Sequence, residues 1–476
     1  MSPCEFDLVV RNARVATASD TFDADIGVRA GRIVQLGLEL ARGAREIDAA
    51  GRVVTPGGVD AHCHLDQPME APARMADDFE SGTRSAACGG TTTVIPFAAQ
   101  AKGQSLRAAV ADYHGRAEGK AHVDYAFHLI VSDPTSDVLE RELPALIGEG
   151  YTSFKIYMTY DDLKLNDRQI LEVLALARRE GAMTMIHAEN SDCIEWLTRR
   201  LEAAGRTAPR YHAHARPMLV EREATHRAIA LAELVDVPIL IVHVSGRDAV
   251  EQIRHARGLG LNVYAETCPQ YLFLSAEDLG IDDSYQGARC ICSPPPRDKA
   301  NQEVIWNGLA DGLFTVLSSD HAPFHYDAPE GKKPGGAEVA FRHIPNGIPG
   351  LETRLPLLYS EGVLGGRITL NRFVELTSTN PAKAYGLHPR KGTIAIGSDA
   401  DLVIWDEREV TVANAELHHA VDYTPYEGRV LKAWPGMTLA QGEVVWDGRD
   451  FHPRLGKGRF LRCGAPSLRP PRAPAR

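Results

Sequence analysis

The sequence contains no run of about 18 uninterrupted apolar residues, so it offers no helix able to span a bilayer. Its opening residues, Met1-Ser2-Pro3-Cys4-Glu5-Phe6-Asp7, lack the basic stretch followed by an apolar run that marks a secretory signal, and a cytoplasmic protein is expected. A basic surplus is missing too. The chain has 52 Lys and Arg against 63 Asp and Glu, for a formal net charge of −11. Nucleic acids and anionic membranes reward a basic face, so neither is an expected partner. The eight cysteines include no CxxC pair for a thiolate zinc site, and Cys290 with Cys292 is only a weak C-x-C. In so long a chain they do not form a disulfide framework, and buried small hydrophobes in a reducing compartment are expected.

What is present is ordinary globular composition, 44% hydrophobic and 24% charged, over 476 residues. The first 50 or so residues read as short strands (7–10, 14–17, 24–28 and 32–36) separated by Asn12, Gly31 and Gly37. The same texture returns at 400–405 and 442–446, which suggests one small β domain built from both chain ends. Between them, apolar strand-like runs alternate with helix-like segments such as 168–179 and 221–235. The candidate strands are 52–61, 91–97, 124–131, 152–157, 182–186, 238–242, 261–265 and 314–317. Eight strands alternating with helices predict an α/β chain with a (β/α)8 TIM-like barrel, whose chemistry sits at the C-terminal strand ends. The expected division is 1–55 and 391–450 for the β domain, 56–390 for the barrel and 451–476 for an extended tail. That tail holds seven Lys or Arg and no acid. It is expected either to lie against a neighbouring subunit or to be disordered.

Several chemistry-bearing residues leave the predicted strand ends together. In "VDAHCHLD", strand periodicity puts His62 and His64 on one side and Cys63 on the other. Lys155 lies in strand four, His187 ends strand five, His243 ends strand six and Asp320 ends strand eight. A lone strand-end histidine is more often a surface or capped residue than a ligand, but six such positions at one rim form a pattern. Neutral imidazoles and a carboxylate suit zinc and similar ions. Lys155 has two readings. A buried lysine with a lowered pKa can be neutral and capture carbon dioxide as a carbamate, an anion able to bridge two metals. Alternatively it pairs with an acid at the barrel mouth.

The stretches "GGVDAHCHLDQP", "DDFESGTRSAACGGTTTVIPF", "FKIYMTY", "HAEN", "VHVSG", "CSPPPRDK", "SSDHAPF", "IPNGIPGLETRLPLL" and "TSTNPAKAYGL" resemble the D-hydantoinase/dihydropyrimidinase group of the amidohydrolase superfamily. The resemblance runs from the first β segment to about residue 450. It implies a barrel with a flanking β-sandwich, a dinuclear metal site, and hydrolysis of cyclic amides by a homotetramer or dimer. By the same resemblance, His62, His64 and Asp320 hold one metal, and His187 and His243 hold the other. Carbamylated Lys155 and a hydroxide bridge the two. Zinc is the default ion, with manganese or cobalt suited to the same ligands. Tyr160 donates to the carbonyl oxygen of the substrate, with Tyr157 as its nearby rival. Asp320 takes the proton of the attacking water and passes it to the leaving nitrogen. Ser293 and Asn346 bind the amide edge of the ring through their backbones, and His321 supports the ligands from behind.

The implied activity is opening of 5,6-dihydrouracil to N-carbamoyl-β-alanine, of 5-substituted hydantoins to N-carbamoyl amino acids, or both. Dihydroorotases typically carry an arginine two residues past the HxH pair, where this chain has Asp66. Allantoinase and cyclic imide hydrolase are the nearer alternatives. A non-catalytic dihydropyrimidinase-like scaffold is the remote one, since all six metal positions and Tyr160 are present. Residues 67–77 are expected to gate the pocket, with Met69 and Met75 lining it.

Overall fold

A computed structural model describes residues 5–470. Eight parallel strands form the barrel: Gly58–Cys63, Thr91–Ala99, a broken third strand (Asp124–Tyr125 and His128–Ile130), Ser153–Tyr157, Met183–His187, Ile239–Ile241, Val263–Thr267 and Val316–Leu317. Each ladder joins sequence neighbours in parallel, as when Tyr157 pairs with His187 and Leu240 with Tyr264. The first and last strands meet through backbone bonds just past their ends. The Asp320 N–H donates to the His62 carbonyl at 2.8 Å, and the His64 N–H to the His321 carbonyl at 2.7 Å. The seam of the barrel therefore lies among candidate ligands. Helices such as Asp167–Glu180 and Met218–Val235 cover the outside, as their apolar spacing predicts. Helix Asp167–Glu180 begins at an Asn166–Gln169 capping box and ends at a left-handed Gly181.

Strand parity decides which side chains enter the barrel. Ile95 and Phe97 pack inside with Met183, Met185, Leu240 and Val242. Val94, Ala98, Phe154, Ile156, Ile186 and Ile241 pack outward beneath the helices. With Phe154 and Ile156 facing out, Lys155 and Tyr157 must face in. In the first strand the ladder slips register between Asp60 and Cys63. That slip lets His62 follow the inward Val59 and Ala61, while Cys63 turns to the helix side.

Both chain ends build one eight-stranded sheet, mostly antiparallel, around Leu8, Val10, Val15, Ile26, Val54, Leu402, Ile404 and Leu439. Three sequence expectations change. Asn12 does not separate two strands. It sits at a left-handed φ of 53° in a bulge within the single strand Phe6–Ala16, and the bulge shifts the buried parity from Leu8 and Val10 to Ala13 and Val15. The apolar run 52–61 is two strands in two sheets, Val53–Pro56 and Gly58–Cys63. Gly57 turns between them, where a Cβ would lie 2.1 Å from Thr92 Oγ1. The basic tail, expected to lie against a neighbouring subunit or to be disordered, is laid through residue 470 on this chain's own barrel. Arg459 O and the Leu461 N–H bond Tyr125, the Cys463 N–H bonds Gly150, and Phe460 packs on Phe127 and Tyr151. Apolar anchors and backbone bonds thus override its charge; residues 471–476 lie outside the described residues. Every cysteine among the described residues is a free thiol, and all but Cys193 are buried. No helix among them is long and apolar enough to cross a membrane.

Candidate metal centre

His62, His64, Lys155, His187, His243 and Asp320 are all buried at one end of the barrel. Lys155 Nζ lies 2.7 Å from His62 Nε2, and Asp320 Oδ1 lies 3.2 Å and 3.5 Å from Nε2 of His62 and His64. His187 Nδ1 and His243 Nε2 face each other at 2.9 Å. His62 and His243, with ring centroids 5.4 Å apart, join the two groups.

The outward nitrogens show what the inward ones can do. His62 Nδ1 meets Glu266 Oε1 at 2.6 Å, His64 Nδ1 meets Gln67 Oε1 at 2.7 Å, and His187 Nε2 meets Glu189 Oε2 at 2.8 Å. An oxygen acceptor on one ring nitrogen fixes the proton there and leaves a lone pair on the other. Three lone pairs consequently converge on Lys155, Asp320 and His243. Burial pushes His62, His187 and His243 below the ordinary histidine range, so all three are neutral, as metal ligation demands. Burial pushes the Asp320 carboxyl up, yet the surrounding His62, His64 and His243 overcome it and hold Asp320 well below the usual carboxylate range. His62, His64 and Asp320 present ligand atoms within 4.8 Å of one another, a set that could hold a cation. This donor chemistry fits a metal centre.

Among the described residues no carboxylate contacts Lys155, and its ammonium faces the rings of Phe97 and Tyr157 at 4.6 Å and 4.9 Å. Burial lowers its pKa to about 8 against the pull of Asp320 and Glu266. Of the two readings of this lysine, the acid-paired one finds no partner at contact distance.

The backbone bends to deliver these groups. His243 is off the inward parity of Leu240 and Val242, and a left-handed φ of 38° turns it into the site. Asp320 and Tyr160 have φ values of 50° and 69°. Non-glycine residues in this region carry strain, and here three of them sit around one centre.

The two tyrosines separate. Tyr157 stacks on His187 with centroids 5.4 Å apart and is buried in the barrel core. Tyr160 sets its edge against His187 and lines a cavity of about 290 Å³ together with Arg216, His212 and Asn346. Burial raises its hydroxyl to about 12, despite Arg216 and a hydrogen bond with Ser293, so it keeps its proton to donate. Ser293 and Asn346 sit on the loops following strands seven and eight, and no hydrogen bond among the described residues uses their backbone N–H or C=O. His321 is not directed at the ligands. Its ring bonds Asp77 at 3.1 Å and accepts the Gly350 N–H, so its support for the site runs through its backbone. Met75 does not line the cavity; it is buried against Ala322 and Phe324, while Met69 is exposed.

Sequence reasoning missed three supporting groups. Glu266 is the penultimate residue of strand seven and orients His62. Glu189 orients His187 and is itself held by Arg216 Nη1 at 2.6 Å. The one visible signal was an acid at a strand end or two residues past a ligand.

The sequence pattern of the Amidohydrolase family matches residues 53–445. A D-hydantoinase of Geobacillus stearothermophilus is 46% identical over 458 residues, covering 95% of this chain and 96% of that protein. A D-hydantoinase of Rhizobium radiobacter is 44% identical, covering 96% of this chain and 98% of that protein. The crystal structure of a dihydropyrimidinase from Brevibacillus agri superposes with a TM-score of 0.92 at 43% identity, over 96% of this chain and 98% of that one.

Proposed function

Because the chain belongs to the amidohydrolase family, we propose that it is a metal-dependent hydrolase that opens cyclic amides: a hydantoinase, a dihydropyrimidinase, or both. The relatives bearing those names support the reading. The observation that carries it is the convergence of inward imidazole nitrogens, those of His62 and His64 on Lys155 and Asp320 and that of His187 on His243. His62, His64 and Asp320 would hold one divalent ion, and His187 and His243 a second. Lys155, as a carbamate, would serve both, with zinc the expected metal. When bound, such ions acidify water and polarise a carbonyl.

The chain's own groups do the rest. Asp320, ionised and facing the site, accepts the proton of the attacking water and delivers it to the leaving ring nitrogen. The C–N bond breaks as oxygen joins the carbonyl carbon, and protonation keeps the tethered nitrogen from reclosing the ring. The Tyr160 hydroxyl donates to the carbonyl oxygen as negative charge develops on it. The free backbone groups of Ser293 and Asn346 match the donor and acceptor of a ring amide edge. The division into a barrel at 56–390 with a β domain from 1–55 and 391–450, the cytoplasmic location and the tetrameric or dimeric state belong to the same proposal.

The test is one assay of zinc-loaded protein on dihydrouracil, 5-monosubstituted hydantoins, allantoin, dihydroorotate and a simple cyclic imide, each with a chelated control. Chelator-sensitive opening of dihydrouracil or a hydantoin is expected. Opening of allantoin or the imide alone transfers the protein to those activities. Zinc-loaded protein that opens none of these rings overturns the reading.

A further inference from the structure

Lys332 lies between the two segments that carry Ser293 and Asn346. Its side chain is fully buried, and no carboxylate pairs with it among the described residues, whereas the adjacent Lys333 pairs with Asp327. Lys332 Nζ donates to the Ile291 carbonyl at 2.9 Å and to the Pro345 carbonyl at 2.6 Å. One bond goes to each segment. The Gly347 N–H donates across the same gap to Ile291 at 3.0 Å. The lysine itself is anchored, since its N–H bonds the His325 carbonyl and its own carbonyl accepts the Tyr285 hydroxyl at 2.6 Å.

The neighbouring carbonyls are also taken. His212 Nε2 bonds Cys292 O at 2.9 Å, and the Tyr271 hydroxyl bonds Pro294 O at 2.9 Å. In the run 291–294, only the Ser293 carbonyl is left without a partner among the described residues. Asn346 is likewise left open beside the clamped Pro345. An ammonium buried without a counter-ion is costly, and an apolar side chain would fill this space at less expense. Burial lowers the Lys332 pKa to about 7.

We propose that Lys332 is a positioning residue whose ammonium ties the Ile291–Pro294 and Pro345–Gly347 segments together and sets the spacing between the backbone groups of Ser293 and Asn346 that receive the ring. The inference rests on the cyclic-amide reading above. It concerns substrate binding, and Lys332 touches none of the metal ligands named here.

Lys332→Met keeps the stem and removes the donor. It is expected to raise KM for the ring substrate about tenfold or more, the scale of a lost charge-assisted hydrogen bond. kcat should stay within about threefold, because the loss falls on binding rather than on the chemical step. Bound metal should stay at the wild-type ratio. Hydrogen exchange of the amides at 292–293 and 346–347 should quicken, while that of strand Met183–His187 holds. Unchanged KM with unchanged exchange overturns the proposal. So does loss of metal, or exchange raised throughout the chain, because either makes Lys332 a general structural residue. If Lys332→Met does not fold, Lys332→Gln, which retains a donor for one of the two carbonyls, is measured in the same way, and wild-type KM and exchange overturn the clamp. Should the wild-type protein open no ring, the functional reading falls, and the exchange data alone decide the clamp.

Discussion

Lys155 and Lys391 are both buried lysines on this fold, and their surroundings are opposite. Lys155 faces the ligands at the barrel mouth with aromatic rings around it and, among the described residues, no carboxylate in contact, and burial lowers its pKa to about 8. Lys391 lies where the end sheet meets the entry of the third barrel strand. Its Nζ is 2.7 Å from Asp124, 2.6 Å from Asp401 and 3.1 Å from Asp399. Burial disfavours its charge as well, but the three aspartates overcome that and hold it above the ordinary lysine value. The number of acids within reach decides which way the pKa of a buried amine moves. Asp124 also accepts the N–H of Arg459 at 2.9 Å, so the Lys391 cluster fastens the tail to the barrel too.

The largest expected effect falls at the mouth. Lys155→Ala should lower metal content below that of the wild-type protein. It should also cost several kcal/mol of transition-state stabilisation, about 10³-fold or more in kcat/KM. Metal analysis and turnover check it, and full metal with normal turnover would remove Lys155 from the centre. The pKa makes a companion prediction. Only the amine form captures carbon dioxide, and that form dominates above the pKa. Reloading of metal-free protein with zinc and bicarbonate should therefore rise with pH to about 8 and then level off, well short of the 10.5 of an ordinary lysine.

Lys391→Met should do the reverse, leaving metal content and turnover per folded molecule intact. Removing one member of a buried ion cluster leaves the others unpaired, which costs about 3–5 kcal/mol of stability, read as a shift of the denaturation midpoint. The sign with pH follows from its raised pKa. The contribution is fully present below 10.5 and is lost only as pH rises through the folded value, so the wild-type advantage should persist at pH 8. A stable Lys391→Met protein with depressed turnover would dissolve the contrast between the two lysines.

The sequence told these two lysines apart only in part. Lys155 was legible because it sits in an apolar strand-like run and joins histidines at the ends of others. Barrel strands buried on both faces read as continuous apolar runs, and such runs locate a strand well. Lys391 carried no such pattern, because Asp124, Asp399 and Asp401 meet it only after the chain ends close on the barrel. Glu266 and Glu189 were hidden for the same reason, as was Arg216, which reaches Glu189 from 27 residues away. The inward turn of His243 depends on a φ of 38° that no residue preference signals. The run 52–61 reads as one strand because Val53-Val54 and Val59 are equally apolar, and only the contact of Gly57 with Thr92 shows why it must divide.

Tyr160→Phe tests whether the mouth carries a second specific donor beyond the metal centre. The expected loss is about 10²–10³ in kcat, the scale of one lost oxyanion donor, with metal content and stability unchanged. Tyr157→Phe serves as the control, because the Tyr157 ring stacks on His187 and lies outside the residues lining the cavity. If the two variants exchange phenotypes, the donor is Tyr157.

The smallest effect is expected one step back from the ligands, at Glu266→Gln. Glu266 accepts from His62 Nδ1 at 2.6 Å and so keeps the Nε2 lone pair turned inward. Burial raises its own pKa to about 8, so its hold on His62 combines orientation with a weakened charge. An amide of the same shape can present its carbonyl oxygen to His62 and preserve the tautomer, or present its NH₂ group and reverse it. Loss of a partner of this kind costs about 10–100-fold in metal affinity. Competition with a chelator of known affinity would measure it. A loss in that range, with kcat restored at saturating zinc, assigns Glu266 to holding the ligand. A loss of kcat that zinc does not restore would mean that Glu266 also shapes the charge around Lys155, and the division between a reagent lysine and its acid-free surroundings would then need redrawing.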